Sequence, residues 1–332
     1  MFTLLKTLMT TPSVSGREEN IRKTLEKYIA PLCDEVSTDA LGNLIALKKG
    51  SAENPKKVML CAHMDEIGFL VTFIEEEGFI RIAPVGGIHA TAVAYTEVVS
   101  EKGVAGVIVP NDDVKPEDYK MGNFYIDIGA KNRKEAEKKV AVGDFFVCRA
   151  SLTKLMGKRV AGRPLDDRVG CAILLDVAEY FSKNTPENDL YYVFSVQEEV
   201  GCRGAKTAAF GICADFGLVF DVTATGDVPT SKPMACKLGG GAAIKIKDSS
   251  VICHKDVVDK LIDVAKENKI AYQCEILTYG GTDTSSIQMT GCGAKVGALS
   301  IPTRYIHSGV EMCDLGDAEA CVKLSVKFIE SI

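Results

Sequence analysis

A chain of 332 residues, 46% apolar and 25% charged, has room for one large α/β domain carrying an insertion, and disorder is not expected. Its net charge of −6, with no block of Lys or Arg, argues against a nucleic-acid backbone as the main partner. No run approaches the roughly 20 apolar residues of a membrane span, and the 12 cysteines form no CxxC pair and sit in apolar runs such as VMLCAH, so a reducing cytoplasm is expected rather than a membrane or a disulfide scaffold.

The N-terminal MFTLLKTLMTTPSVSG carries Lys6 within its apolar stretch and no secretory cleavage site, and the first 35 residues read as two helices. Ser15 followed by Glu18 is a capping-box pattern that would open REENIRKTLEKYIAPL. NLIALKK and KKVMLCAH then have the length and apolar pattern of strands. From about Phe69 to Leu155 the texture changes to short β-rich pieces (FLVTFI, FIRIAPV, TEVVS, VAGVIVP, FYIDIG, DFFVCRA) separated by turn residues. After Gly162, helix and strand alternate again: DDRVGCAILLDVAEYFSK, LYYVFSV, GCRGAKTAAF, FGLVFDV, AAIKIK, KDVVDKLIDVAKENK, YQCEIL, a turn at YGGTDTSS, AKVGALSIP and a closing helix from Asp317. The expected fold is therefore α/β, with a mostly parallel central sheet flanked by helices over residues 1–68 and 156–332. Residues 69–155 would form a small inserted β-barrel-like domain.

Ligands of open α/β sheets gather at the carboxyl ends of the strands. There the sequence places His63 and Asp65, the pair Asp166-Asp167 before a long helix, Glu198-Glu199, Asp221, and His307. Crowded carboxylates repel one another unless protons or cations compensate them. A donor set of nitrogen and oxygen without thiolate suits Zn, Co or Mn, and two divalent ions about 3.5–4 Å apart share a bridging carboxylate. In a strand, residues two apart face one side, so Asp65 is placed to accept from the His63 ring nitrogen turned away from a metal. Of two adjacent glutamates at a strand-ending turn, one can bind metal while the other takes a proton from the attacking water. Taken alone, Asp166-Asp167 reads as a helix N-cap before it reads as a ligand pair, and the cysteines near this rim (Cys61, Cys171, Cys202) read as packing rather than as nucleophiles.

The stretches AHMDEIGF, GRPLDDRVG, VQEEVGCRGA, VFDVTATGD, GGTDTSS and IPTRYIHSGVEM occur in the order found in the glutamyl- and deblocking-aminopeptidase family, which this chain resembles over nearly its whole length. Some members form tetrahedral shells, and others have been labelled endoglucanases. The resemblance implies a metal-dependent aminopeptidase acting on small peptides through two divalent ions, zinc or cobalt with manganese as a third choice. It implies His63, Asp166, Glu199, Asp221 and His307 as ligands, with Asp166 bridging because it lies four residues before Gly170. Glu198 would be the general base, Asp65 the acid that orients His63, and the β insertion the means of assembly into homo-oligomers of up to twelve subunits. Gly309 stands where members often carry proline, a change expected to loosen the loop around His307, and VIVPNDDVKPEDYK lacks a Pro-Pro-His stretch that many relatives place there. Two rival readings fit the same residues. A glycoside hydrolase would also use paired carboxylates, but would keep its activity under chelation. A metal-stabilised assembly protein would close every ligand position and leave no spare carboxylate.

Overall fold

The computed structural model describes residues 1–231 and 233–332. Helices α1 (Phe2–Met9) and α2 (Glu19–Ile29) precede strands β1 (Glu35–Thr38), β2 (Leu44–Lys48) and β3 (Lys57–His63). Six strands follow: β4 (Gly68–Ile74), β5 (Ile80–Val85), β6 (Thr96–Ser100), β7 (Ala105–Pro110), β8 (Phe124–Asp127) and, after the single turn α3 (Arg133–Ala136), β9 (Phe145–Cys148). The chain then runs through β10 (Ser151–Lys154), β11 (Arg159–Arg163), α4 (Arg168–Lys183), β12 (Asp189–Ser195), α5 (Arg203–Ile212), β13 (Phe216–Thr223) and β14 (Ala242–Lys247). It closes with α6 (Lys255–Glu267), β15 (Tyr272–Ile276), α7 (Asp283–Gln288), β16 (Lys295–Arg304), β17 (Glu311–Asp314) and α8 (Leu315–Ile329).

Eleven strands form one sheet in the order β1-β2-β12-β3-β13-β16-β17-β11-β10, with β14 beside β16 and β15 beside β14. The fold is α/β as expected, and the sheet is mixed. Its centre, β12-β3-β13-β16, is parallel, while β2, β14 and β17 join that centre antiparallel. The pattern follows burial. VMLCAH of β3 and GLVFDVT of β13 are buried at every position, as parallel strands covered on both faces require. The outer β1 is exposed at three of its four positions, where only an antiparallel edge hairpin fits.

Helices α4 and α8 pack on each other, α4 against β3 and β13 and α8 against β14 and β16, while α5 and α7 pair and cover β12, β3, β13 and β16. Strands β4-β5-β8-β7-β6-β9 close into a barrel with its own core of Phe69, Val71, Ile80, Val98, Ile108, Phe124, Ile126 and Phe146. All six β-rich pieces seen in the sequence are barrel strands, and Ser151–Lys154 leaves the barrel to pair with β11 at the edge of the large sheet. The barrel is thus threaded between β3 and α4, the two elements that carry His63 and follow Asp166.

One local reading is corrected. Helix α2 has no capping box: Glu18 is its N-cap without a side-chain cap bond, and the Ser15 hydroxyl donates instead to Asp65 Oδ2 at 2.6 Å. Glu18 Oε1 turns back to accept from Gly16 N at 2.7 Å and from Gln197 N at 3.1 Å. A buried carboxylate and an orphan turn amide compete for these side chains and win over the helix terminus. All twelve cysteines are free, and among the described residues no helix is long and apolar enough to cross a membrane.

Candidate metal centre

Parallel register brings the strand ends to one edge. His63, last in β3, is paired with Ser195, last in β12, and Asp221 of β13 is paired with Ser300 of β16. Beyond Ser195 the chain turns at Gln197, whose φ of 55° is left-handed, and the Glu198 carbonyl accepts from Gly201 N at 2.8 Å and Cys202 N at 2.9 Å. This turn is held from below by Asp65, whose Oδ1 accepts from Glu198 N (3.0 Å) and whose Oδ2 accepts from Glu199 N (3.2 Å). The turn explains how two adjacent glutamates, which a strand would send to opposite faces, both face inward.

The five expected ligand residues converge. His63 Nε2 lies 3.0 Å from Asp166 Oδ1 and 3.8 Å from Asp221 Oδ1. His307 Nε2 lies 3.2 Å from Asp166 Oδ2 and 3.1 Å from Glu199 Oε2. The Asp166 carboxylate thus stands between the two imidazoles, one oxygen toward each. Asp167 Oδ1 accepts from Gly170 N at 3.0 Å and caps α4, while its Oδ2 is buried without a partner. Donor atoms of His63, Asp166 and Glu199 lie within 4.8 Å of one another, as do those of His63, Asp167 and Asp221. The nearer acceptor for His63 Nδ1 is the Asp65 carbonyl at 3.1 Å, with the Asp65 carboxylate at 3.5 Å because that group is already engaged by the glutamate amides. Either acceptor holds the ring with Nε2 toward Asp166.

Electrostatics record the crowding. Burial lifts the carboxyls of Glu198 and Asp221 well above their ordinary range, and neighbouring carboxylates add to it. Glu199 is raised by burial and then by Asp166. Burial alone would lower His307, but hydrogen bonds to Asp166 and Glu199 outweigh it and push the ring up to about 11. His63 is raised against the same burial penalty by Asp166 and Asp65, and the two imidazoles in turn hold Asp166 far below the usual carboxylate value although burial opposes them. In metal-free protein, protons therefore do the compensating. The donor set fits divalent cations: two imidazole nitrogens and several carboxylate oxygens are aimed at common points, and Asp167 Oδ2 is a buried acceptor without a donor.

Above this floor opens a cavity of about 670 Å³, lined by Glu198, Glu199, Asp221 and His307 and walled by apolar and small residues including Val222, Leu277 and Tyr279. The barrel contributes Gly87 and His89 to its rim, and a Cβ at Gly87 would come within 3.4 Å of His307 Nδ1.

Some supporting residues have no signature in the sequence. Glu311, fully buried, accepts from Leu165 N (2.6 Å), Asp166 N (3.1 Å), His307 N (3.3 Å) and Arg163 (3.3 Å), tying the Asp166 and His307 loops together. Asp283, within the stretch read as a turn, is instead the first residue of α7 and lies buried beside Ser195 and Cys61. The loop carrying His307 is not loosened by Gly309. The Gly309 N–H donates to Ala92 O of the barrel at 3.2 Å, and Arg163 donates to Ser308 O at 2.6 Å.

An α/β sheet that gathers two imidazoles, a shared carboxylate and a spare one at its carboxyl edge, beneath a cavity, presents the donors that a metal-dependent hydrolase uses. The chain belongs to the M42 glutamyl aminopeptidase family, whose sequence profile matches residues 42–324, and it is an aminopeptidase, a hydrolase of peptide bonds. A protein of Acetivibrio thermocellus carrying an aminopeptidase name is 47% identical over 332 residues, covering 99% of this chain and 98% of that one. The structure of an aminopeptidase from the archaeon Desulfurococcus kamchatkensis superposes with a TM-score of 0.95 at 36% identity, covering 100% of this chain and 94% of its own. That of the Pyrococcus horikoshii TET1 peptidase, described as assembling into a tetrahedron or a large octahedral shell, gives 0.89 at 35% identity, covering 99% of both chains.

Proposed function

We propose that the chain removes N-terminal residues from small peptides at a centre of two divalent cations, with Glu198 as general base. His63 and Asp221 would hold one ion and Glu199 and His307 the other, with Asp166 shared; zinc and cobalt suit this donor set best, and manganese fits it too. When bound, such ions polarise the scissile carbonyl and make a water easier to deprotonate. The residues of the chain supply the rest. Glu198 takes the proton of the attacking water and passes it to the leaving amine, a role for which a carboxylate lining the cavity beside the ligands is placed. Asp65 holds the Glu198 and Glu199 amides and so fixes the base relative to the ligand beside it. The cavity admits a peptide end, and its floor of carboxylates attracts a free amino terminus.

One observation carries the reading: a single carboxylate, Asp166, faces both imidazoles while Glu198 faces the cavity with no imidazole of its own. Replacing Glu198 with Gln should keep two bound ions and lower turnover by about 10²–10⁴-fold. Replacing Glu199 with Ala should instead lower metal content. Full turnover in the first variant removes Glu198 from the mechanism, and unchanged stoichiometry in the second removes Glu199 from the ligand set.

The insertion over residues 69–155 is assigned to assembly. The shell-forming neighbour, together with a related TET1 structure described as a dodecamer, supports a homo-oligomer of up to twelve subunits, and the barrel segment exposes Phe73, Tyr95 and Val142 to solvent in the single chain. Twelve free cysteines fit a reducing cytoplasm.

A further inference from the structure

Next to the metal centre lies a second cluster of donors, of which the proposed mechanism uses only Glu198. Cys202 stands at the N-cap of α5 with φ 51° and ψ 38°, a left-handed conformation imposed by the turn that also places Glu198. Its thiol donates to Glu198 Oε1 at 3.2 Å. Asp283 closes the group from α7. One donor atom from each of Glu198, Cys202 and Asp283 lies within 4.8 Å of the other two. Asp283 is 1% exposed; its Oδ2 accepts from Ser195 Oγ at 2.5 Å and faces the Cys61 thiol at 3.6 Å, while its Oδ1 is buried with no hydrogen-bond partner at all. A buried carboxylate oxygen without a donor carries an unrecovered desolvation cost, and a cation removes it.

We propose that Glu198, Cys202 and Asp283 form a third cation site, selective for thiophilic ions such as zinc and cadmium, whose occupation inhibits the enzyme. The donor set, one sulfur and two carboxylates, differs from the sulfur-free set of the main centre and selects soft ions over magnesium or manganese. Entry is open, since Glu198 and Cys202 both line the cavity. On binding, the Cys202 thiol releases its proton to solvent and its sulfur turns from donor to Glu198 into ligand of the ion. Inhibition follows because an ion on Glu198 occupies the lone pairs that accept the proton of water. That consequence rests on the general-base reading of Glu198, whereas the existence of the site does not.

The test uses the enzyme loaded with zinc at its main centre and dialysed against rising zinc or cadmium, with metal content and peptide turnover read on the same samples. Wild type is compared with Cys202→Ala and, as a second probe of the site, with Asp283→Asn, each checked by thermal melting. Wild type should take up one equivalent more than Cys202→Ala over the range in which its turnover falls, and with cadmium it should show a sulfur-to-metal charge-transfer band that the variant lacks. The inhibitory concentration for Cys202→Ala should rise by at least the roughly 10–100-fold that loss of even an outer partner costs a metal site. Equal uptake and an unchanged inhibition curve in the two proteins overturn the third site. Fewer than two zinc equivalents at the outset in a fully active wild type would instead overturn the dinuclear reading. A third equivalent that binds in wild type alone without inhibition would keep the site and overturn its effect on Glu198.

Discussion

Glu18 is buried beneath the turn that bears the two glutamates, and its carboxyl is pushed up to about 7, first by burial and then by the charge of Asp65. The folded chain therefore keeps a proton between the ordinary value of 4.5 and about 7 that the unfolded chain has released, so this residue's contribution to stability is complete below 4.5 and is lost as pH rises through about 7. Glu18→Gln retains an amide oxygen to accept from Gly16 N and Gln197 N but carries no charge. Its urea midpoint, measured on metal-free protein, should exceed that of wild type at pH 8 by up to about 3 kcal/mol of stability and match it at low pH. A gap that persists unchanged at low pH would mean that charge is not the cause. The same residue shows a limit of sequence reading. Ser15 and Glu18 have capping-box spacing, yet the partners that decide their conformation, Asp65 and Gln197, are remote in sequence.

At the scale of elements, the loop between β16 and β17 carries His307 and leans on the barrel. Proline at position 309 would delete the N–H that donates to Ala92 O, and its Cβ would lie about where an added one meets Thr96 Oγ1 at 2.9 Å and Thr96 Cγ2 at 3.2 Å. Gly309→Pro should thus cost about 1–3 kcal/mol and lower turnover with it, since His307 moves with the loop. Gly309→Ala keeps the amide and should lose less. Equal losses in denaturant unfolding would assign the effect to the clash alone.

The elements themselves were largely legible. Apolar runs marked β3, β12 and β13 because strands buried on both faces admit little else, and the six barrel strands were marked by their turns. The acids and histidines at strand ends were legible because parallel register gathers those ends on one edge. What did not show was the scaffold behind them. Glu311 reads as one polar residue in a short strand until four donors from two segments, 163–166 and the His307 loop, are seen to converge on it. Asp283 hid in a turn-like stretch for the same reason. The antiparallel flanks of the sheet were also invisible, because a short half-buried strand such as β17 has the same pattern in either direction.

For the molecule as a whole, the metal centre is a reservoir of charge conflict whose sign depends on occupancy. Without ions, His307 is held up to about 11, so its pairing with Asp166 and Glu199 contributes stability fully below the ordinary 6.5 and loses it as pH rises through about 11. Ions that replace those protons must displace them. Adding zinc or cobalt to stripped protein in weak buffer near neutral pH should therefore release protons, and chelation should reverse the release. The melting temperature should climb with ion concentration, in step with about 2.7 kcal/mol per site at a hundredfold excess over the dissociation constant. Ion binding with no proton release would count against imidazolium as the compensating species. Native mass spectrometry on the same samples would show whether the oligomeric state follows the ions.

Asp65 grips two consecutive amides, one belonging to the residue assigned to water activation and the next to a residue assigned to ion capture. The two duties are therefore yoked to a single hinge. Natural variation that tilts this corner of the backbone alters catalytic rate and ion retention at once, so the enzyme has little freedom to evolve a looser grip on its ions while leaving its chemistry as it stands.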